Sequence, residues 1–127
     1  MDYRIPNPNH VAYLAGPMTG IEGFNQPAFA EAAKRLRAQG FTIWNPAELV
    51  GGSMILRRSW YMRAAFAALP LCEFVFLMDG WQESEGVAAE LAVALGLGLR
   101  IYEIIDIETP ALRPLKIENF DASFEEA

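Results

Sequence analysis

Residues 73–78 read Glu-Phe-Val-Phe-Leu-Met, and the turn residues Asp79-Gly80 follow this run directly. A near-continuous apolar run of this length is typical of a parallel strand that is covered on both faces. Helices are predicted on each side of it in the chain, at residues 56–69, which Pro70 ends, and at residues 85–97. We therefore expect a central strand with helical neighbours.

The rest of the chain continues this alternation. Strands are predicted at residues 10–15 and 41–44 before the central run and at residues 99–105 after it, with a helix at residues 27–39. The order β-α-β-α-β-α-β with short connections indicates a parallel sheet with helices on both faces. Right-handed crossovers make this an open, doubly wound α/β fold, which binds ligands at the carboxyl ends of its strands.

Length and composition favour a single domain. The chain has 127 residues, of which 53% are hydrophobic, and this is enough for one core. Residues 1–9 are expected to form an irregular lead-in, and residues 109–127 a tail or an arm that crosses to a partner subunit. The formal net charge of −6 argues against a nucleic-acid partner, because non-specific binding needs a basic face.

Cysteine use and hydropathy indicate the cellular setting. Cys72 is the single cysteine, which excludes an internal disulfide and fits a reducing compartment. No apolar leader or membrane-spanning run is visible, so we expect a cytoplasmic protein without a membrane partner. Because no Cys/His cluster has metal-ligand spacing, neither a metal nor another cofactor is predicted.

Glu90 is the leading candidate for a catalytic residue. It is the only charged residue in the stretch GVAAELAVALGLGL at residues 86–99. A carboxylate among apolar side chains is costly to bury unless it is paired or used, so Glu90 is a candidate nucleophile or general base. The alternatives are an acid on the rim of a helix, or a salt bridge to Arg63 or Arg100.

Three residues near strand ends are candidates to work with Glu90. Tyr13 lies in the first strand, where a buried hydroxyl needs a partner, which Glu90 or the backbone could supply. Asp79 follows the central strand, in the predicted site region. Trp81 comes next, where an exposed ring could stack on a base or instead cap the edge of the sheet.

Two segments could contact a ligand through their backbone. The loop Gly16-Pro17-Met18-Thr19-Gly20 follows the first strand, and its glycines would let the backbone come close to a ligand. It lacks both the GxGxxG spacing and the lysine of a phosphate loop, so the segment taken alone favours an ordinary turn. The second segment is the start of the Glu90 helix, at Ser84 and Gly86.

Several short motifs combine over residues 10–105. They are Tyr13-Leu14-Ala15-Gly16-Pro17-Met18-Thr19-Gly20, Phe24-Asn25, Phe29, Asn45-Pro46, Cys72, Gly80-Trp81 and Ser84-x-Gly86-x-x-x-Glu90. Together they resemble the nucleoside 2-deoxyribosyltransferase superfamily, and in particular its small phage and bacterial members of unknown function. The resemblance implies a three-layer α/β fold of the flavodoxin- or Rossmann-like kind and the cleavage or transfer of an N-glycosidic bond.

The resemblance also implies roles for individual residues. Glu90 would attack the sugar carbon C1′, and Tyr13 would orient its carboxylate. The loop at residues 16–20 and the start of the helix at Ser84 and Gly86 would hold the 5′ end of a nucleoside or nucleoside 5′-monophosphate. A covalent glycosyl-enzyme would then react with water or with a second base. A homodimer or larger homo-oligomer is implied.

One position departs from the family pattern. Relatives carry an aspartate on the second helix that protonates the departing base, and Ala65 stands there in this sequence. Asp79 is the candidate replacement. Three alternatives follow from the missing acid or from reuse of the fold: a nucleotide-binding protein without turnover, a hydrolase of a nicotinamide nucleotide whose leaving group needs no proton, and a structural accessory protein.

Overall fold

The computed structural model describes residues 11–18, 21–48 and 58–116. In chain order the strands are β1 (Val11–Ala15), β2 (Thr42–Trp44), β3 (Phe74–Leu77), β4 (Arg100–Asp106) and β5 (Ala111–Pro114). The helices between the first four strands are α1 (Gln26–Ala38), α2 (Arg58–Ala68) and α3 (Glu85–Gly96). Short 3-10 turns lie at Glu22–Asn25, Pro46–Glu48, Leu69–Leu71 and Trp81–Glu83.

The strands form one sheet in the order β2-β1-β3-β4-β5. The first four strands pair in parallel, and β5 pairs antiparallel to β4. The connections run from β1 to one side of the sheet and then cross back to β3, as in doubly wound folds, so β1 and β3 flank the topological switch point. The predicted α/β fold is confirmed, although its sheet is mixed rather than wholly parallel.

Alternating side chains of the strands build two separate apolar layers. Leu14 and Phe76 point to one face of the sheet, where they pack in a cluster with α1. Tyr13 and Val75 point to the other face and pack with α2 and α3. This alternation follows from the period of two residues in a strand. The three layers of the fold are therefore α1, the sheet, and α2 with α3.

The segment after β4 differs from its prediction. The sequence predicts a tail or an inter-subunit arm from residue 109 on, yet Ala111–Pro114 is an edge strand of the chain's own sheet. Arg113 binds Glu103 on β4 with a nitrogen-to-oxygen distance of 2.7 Å. A four-residue strand that ends in proline carries little sequence signal, and proline is tolerated there because the strand lies at an edge. The prediction for residues 117–127 lies outside the described residues.

The helices follow the predicted pattern. The buried face of α1 consists of Phe29, Ala32, Ala33 and Leu36, at the spacing of an amphipathic helix. Pro27 lies in its first turn, where the missing N–H costs nothing. Within the part of the chain that the structure describes, no helix has the length and the apolarity to cross a bilayer.

Candidate functional site

A cleft of about 850 Å³ opens at the carboxyl ends of β1 and β3. Its walls come from the turn after β1, the segment that leads into α1, the first turns of α2, and the chain between the end of β3 and the middle of α3. Tyr13 and Glu90 are its most deeply buried polar lining residues. The cleft therefore lies where open α/β sheets bind their ligands.

Two glycines let the turns after β1 and β3 approach each other. A Cβ atom on Gly16 would lie 2.9 Å from the Cβ atom of Met78, a contact that real side chains do not make. Gly80 has a φ angle of +86°, which favours glycine, and a Cβ atom there would lie 3.3 Å from Cγ of Pro17. The described start of the predicted loop, at Gly16 and Pro17, therefore lies against the end of β3.

Glu90 and Tyr13 form a buried pair at this cleft. The Tyr13 hydroxyl donates a hydrogen bond of 2.6 Å to Oε2 of Glu90. Tyr13 is fully buried, and Glu90 exposes only 9% of its surface. Glu90 lies on the same face of α3 as the buried residues Val87, Leu91 and Ala94, so the helix itself turns the carboxylate toward the sheet. The predicted partnership of these two residues is confirmed.

Burial raises the pKa of both groups. Loss of solvation raises the pKa of Glu90 to about 7, and the hydrogen bond from Tyr13 opposes this rise. Burial and the neighbouring carboxylate hold the pKa of Tyr13 well above its ordinary value. Tyr13 therefore remains a hydrogen-bond donor, whereas Glu90 can gain or lose a proton near neutral pH. A carboxyl group with this property can serve as a base, an acid or a nucleophile.

The alternative partners of Glu90 lie elsewhere. The Arg63 guanidinium stacks over the Trp60 ring, 5.3 Å from its centroid. The Arg100 guanidinium lies 5.3 Å from the centroid of the Phe74 ring. Neither arginine lines the cleft. The interpretation of Glu90 as half of a salt bridge with one of them is therefore wrong.

Ser84 and Gly86 line the cleft at the start of α3. Ser84 caps the helix, because its Oγ accepts a hydrogen bond of 3.2 Å from the backbone N–H of Val87. Its own hydroxyl hydrogen can still be donated to a ligand oxygen. Gly86 has ordinary space around it: a Cβ atom would lie 3.7 Å from Oγ of Ser84. Its place in the wall does not itself require glycine.

A family model matches residues 10–103 of the chain, a range that includes every strand flanking the cleft and the whole of α3. The model is that of DUF4406, described as a domain of unknown function. The chain belongs to the DUF4406 family. No curated protein matches the sequence.

In this DUF4406 domain Trp81 does not reach the cleft. The Trp81 side chain packs against the apolar layer on the α2 and α3 face, and its Nε1 donates a hydrogen bond of 2.9 Å to Oε2 of Glu103 on β4. This placement corrects the prediction that Trp81 stacks on a base and favours the alternative, a ring that caps the sheet edge. The turn at Gly80 sets the direction of the ring, and the sequence alone does not reveal the conformation of that turn.

Phe24 is the exposed ring that does line the cleft. It exposes 40% of its surface, and the backbone of Gly23, Phe24 and Asn25 lies in the left-handed region, with φ angles of 64°, 54° and 64°. The Asn25 side chain donates a hydrogen bond of 3.0 Å to the carbonyl of Pro17, which ties this segment to the turn after β1. Glycine and asparagine around a phenylalanine are the signal that could have indicated this conformation.

The α2 helix brings no acid to the cleft among its described side chains. Its lining residues are Tyr61 and Met62. Ala65 is 1% exposed and packs in the apolar layer between α2 and the sheet, away from the cleft wall. An acidic side chain at position 65 would therefore enter the core.

The cleft wall is rich in carboxyl groups. Asp79 lines it, as predicted for a residue at the end of β3, and Glu83, Glu85 and Glu90 line it as well. No lysine, arginine or histidine is present among the lining residues in the described ranges. Those ranges also hold no group of three or more potential ligands that could bind a metal ion. Thr19 and Gly20, predicted to contact substrate with Gly16, Pro17 and Met18, lie outside the described residues.

Proposed function

We propose that this cleft binds a nucleoside or a nucleoside 5′-monophosphate, and that Glu90 attacks the sugar carbon C1′ to break the N-glycosidic bond. The observation that carries the proposal is the buried pair of Tyr13 and Glu90 in the wall of a cleft at the switch point. The resemblance to the nucleoside 2-deoxyribosyltransferase superfamily supports the same role for Glu90.

The arrangement suits a two-step reaction with retention at C1′. Tyr13 occupies Oε2 of Glu90, so Oε1 is the oxygen that attacks. As the C1′–O bond forms, the C1′–N bond breaks and its electron pair goes to the base nitrogen. Water then attacks C1′ and displaces Glu90, which gives the free sugar, and the proton that water loses neutralises the departed base. Attack by a second base instead gives a new nucleoside.

Other lining residues suit the remaining parts of such a ligand. The Phe24 ring offers an exposed aromatic face on which a base can stack. The Ser84 hydroxyl can donate to a sugar or phosphate oxygen, and the N-terminus of α3 favours a negative group. These contacts would place C1′ of the sugar between the base and the helix end, on the Glu90 side of the cleft.

The test is release of free base from a panel of deoxynucleosides, ribonucleosides and their 5′-monophosphates, followed by chromatography. Glu90→Gln should lower the rate on the order of 10³-fold or more, because it removes the nucleophile but keeps the side-chain shape. Glu108→Gln, an exposed residue between β4 and β5, is the matched control and should keep full activity. Equal release by the wild type and Glu90→Gln would contradict the proposal.

A binding protein without turnover is the second candidate. The observation that favours it is the α2 wall, where Tyr61 and Met62 line the cleft and Ala65 is buried. A neutral base leaves slowly without a proton donor, and such help is typically worth about 10²- to 10⁴-fold in rate. Calorimetry with the same panel would then show binding to the wild type without product, whereas base release excludes this candidate.

A further inference from the structure

The charges of the cleft wall bear on which glycosides it can accept. Asp79, Glu83 and Glu85 are exposed acidic residues in the wall, and Glu90 is the buried one. The lining residues that the structure describes include no lysine, arginine or histidine. A cleft lined by one sign of charge concentrates ligands of the opposite sign. A positively charged group is therefore attracted to this wall.

The uncharged part of the wall also suits a cationic ring. Phe24 and Tyr61 supply aromatic side chains, and Met18, Met62 and Met78 supply thioethers. Aromatic faces attract cations through the ring quadrupole, and methionine sulfur is polarizable and adapts to flat rings. Carboxylates near aromatic side chains are the combination that recognises an organic cation.

The α2 side of the cleft, where a proton donor for the leaving base is expected, brings no carboxyl group to the wall among its described residues. On the described part of α2, the lining residue with a titratable group is Tyr61. Burial raises the pKa of Tyr61 above its ordinary value of 10.0, which makes this hydroxyl a weak proton donor at neutral pH. A leaving group that already carries a positive charge has no need of a proton.

We propose that the preferred substrate is an N-glycoside whose base is cationic, such as an N-ribosyl pyridinium, a proposal that rests on the glycosidic function above. An oxygen of Glu90 bonds to C1′ as the bond from C1′ to the ring nitrogen breaks. The electron pair of that bond neutralises the ring. Water then attacks C1′, the ester to Glu90 breaks, and one proton passes to solvent.

The experiment compares matched pairs of substrates that differ in charge. Nicotinamide riboside is paired with its neutral 1,4-dihydro form, and 7-methylguanosine with guanosine. For each pair kcat/KM is measured on the wild type and on the double variant Asp79→Asn with Glu83→Gln. Each substrate has the same intrinsic reactivity with both proteins. Dividing the variant's ratio of kcat/KM for the cation to kcat/KM for the neutral member by the wild-type ratio therefore removes this contribution.

We expect the wild type to turn over the cationic members. The ratio of kcat/KM for the cation to that for the neutral member should fall by about 3- to 10-fold in the double variant, as expected for the loss of two exposed charges. The KM for the cation should also rise with salt, while that for the neutral member should not. A ratio unchanged in the variant, or faster turnover of the neutral members, overturns this inference and leaves the glycosidic function standing. Turnover of no glycoside by the wild type overturns both.

Discussion

The two faces of the sheet bury different kinds of side chain. On the α1 face, Phe41, Phe74, Phe76 and Tyr102 pack ring against ring, with centroid distances of 5.1–6.3 Å. On the face that packs with α2 and α3, the Tyr13 hydroxyl meets the Glu90 carboxylate at the cleft. Aromatic packing contributes to stability, whereas burying a carboxylate costs it. Both faces have an apolar core, and the face that packs with α2 and α3 also holds a buried carboxylate that carries the candidate chemistry.

The largest effect should come from removing a ring on the α1 face. Phe76 is fully buried in the central strand, so we expect Phe76→Ala to lower the free energy of unfolding by about 3–5 kcal/mol. Phe66→Ala is the matched control, because Phe66 lies on α2 and exposes 38% of its surface. It should cost less than about 1 kcal/mol. Urea denaturation measures both, and equal losses would contradict the idea that the buried rings of the α1 face contribute strongly to stability.

The next effect should be a gain in stability when Glu90, on the opposite face, is replaced by glutamine. Because burial raises the pKa of Glu90 from 4.5 to about 7, the folded protein holds this proton more tightly than the unfolded chain does. The resulting stability is fully present below pH 4.5 and is lost as the pH rises through about 7. At about 1.4 kcal/mol per pH unit, the loss is about 3 kcal/mol.

Glu90→Gln keeps the shape and the acceptor for Tyr13 but has no charge to bury. It should therefore match the wild type near pH 4 and exceed it by up to about 3 kcal/mol at pH 8. Urea denaturation across this pH range, with Glu108→Gln as the control, measures the difference. A gain that is the same at both pH values would show that burial of the charge is not its cause.

The sequence predicts the two faces unequally well. The four parallel strands and α1 follow from apolar runs and from helical spacing, because burial imposes a period on the chain. Glu90 is identifiable as a candidate site residue because a lone acid breaks such a pattern. Tyr13 is identifiable because a buried hydroxyl needs a partner. Both inferences depend on local composition, which the sequence displays directly.

What could not be predicted depends on backbone direction rather than composition. Trp81 follows a glycine with a φ angle of +86°, and this turn sends the ring toward Glu103 instead of the cleft. Phe24 reaches the cleft because its own backbone is left-handed, which is uncommon outside glycine. The strand at Ala111–Pro114 is too short to show a period. Such features are set by tertiary contacts.

The smallest effect on stability should come from removal of the Tyr13 hydroxyl. The same change is the most direct test of the mechanism. Tyr13→Phe removes the hydrogen bond that lowers the pKa of Glu90, so that pKa should rise above about 7. We expect a loss of about 1–2 kcal/mol in stability at alkaline pH, where the carboxylate loses its donor. If ionised Glu90 is the nucleophile, the midpoint of the kcat/KM profile should move to higher pH by the same shift.

Tyr102→Phe, on the α1 face, is the matched control for this change. Tyr102 is buried among rings and lies outside the cleft, so the loss of its hydroxyl should leave the midpoint where it is. A purely structural role for Tyr13 would lower activity by the same factor at every pH. If kcat/KM falls for Tyr13→Phe without a change in its midpoint, Tyr13 does not set the pKa of the reacting group. If the midpoint shifts for Tyr13→Phe and not for Tyr102→Phe, the group that titrates in the reaction is Glu90.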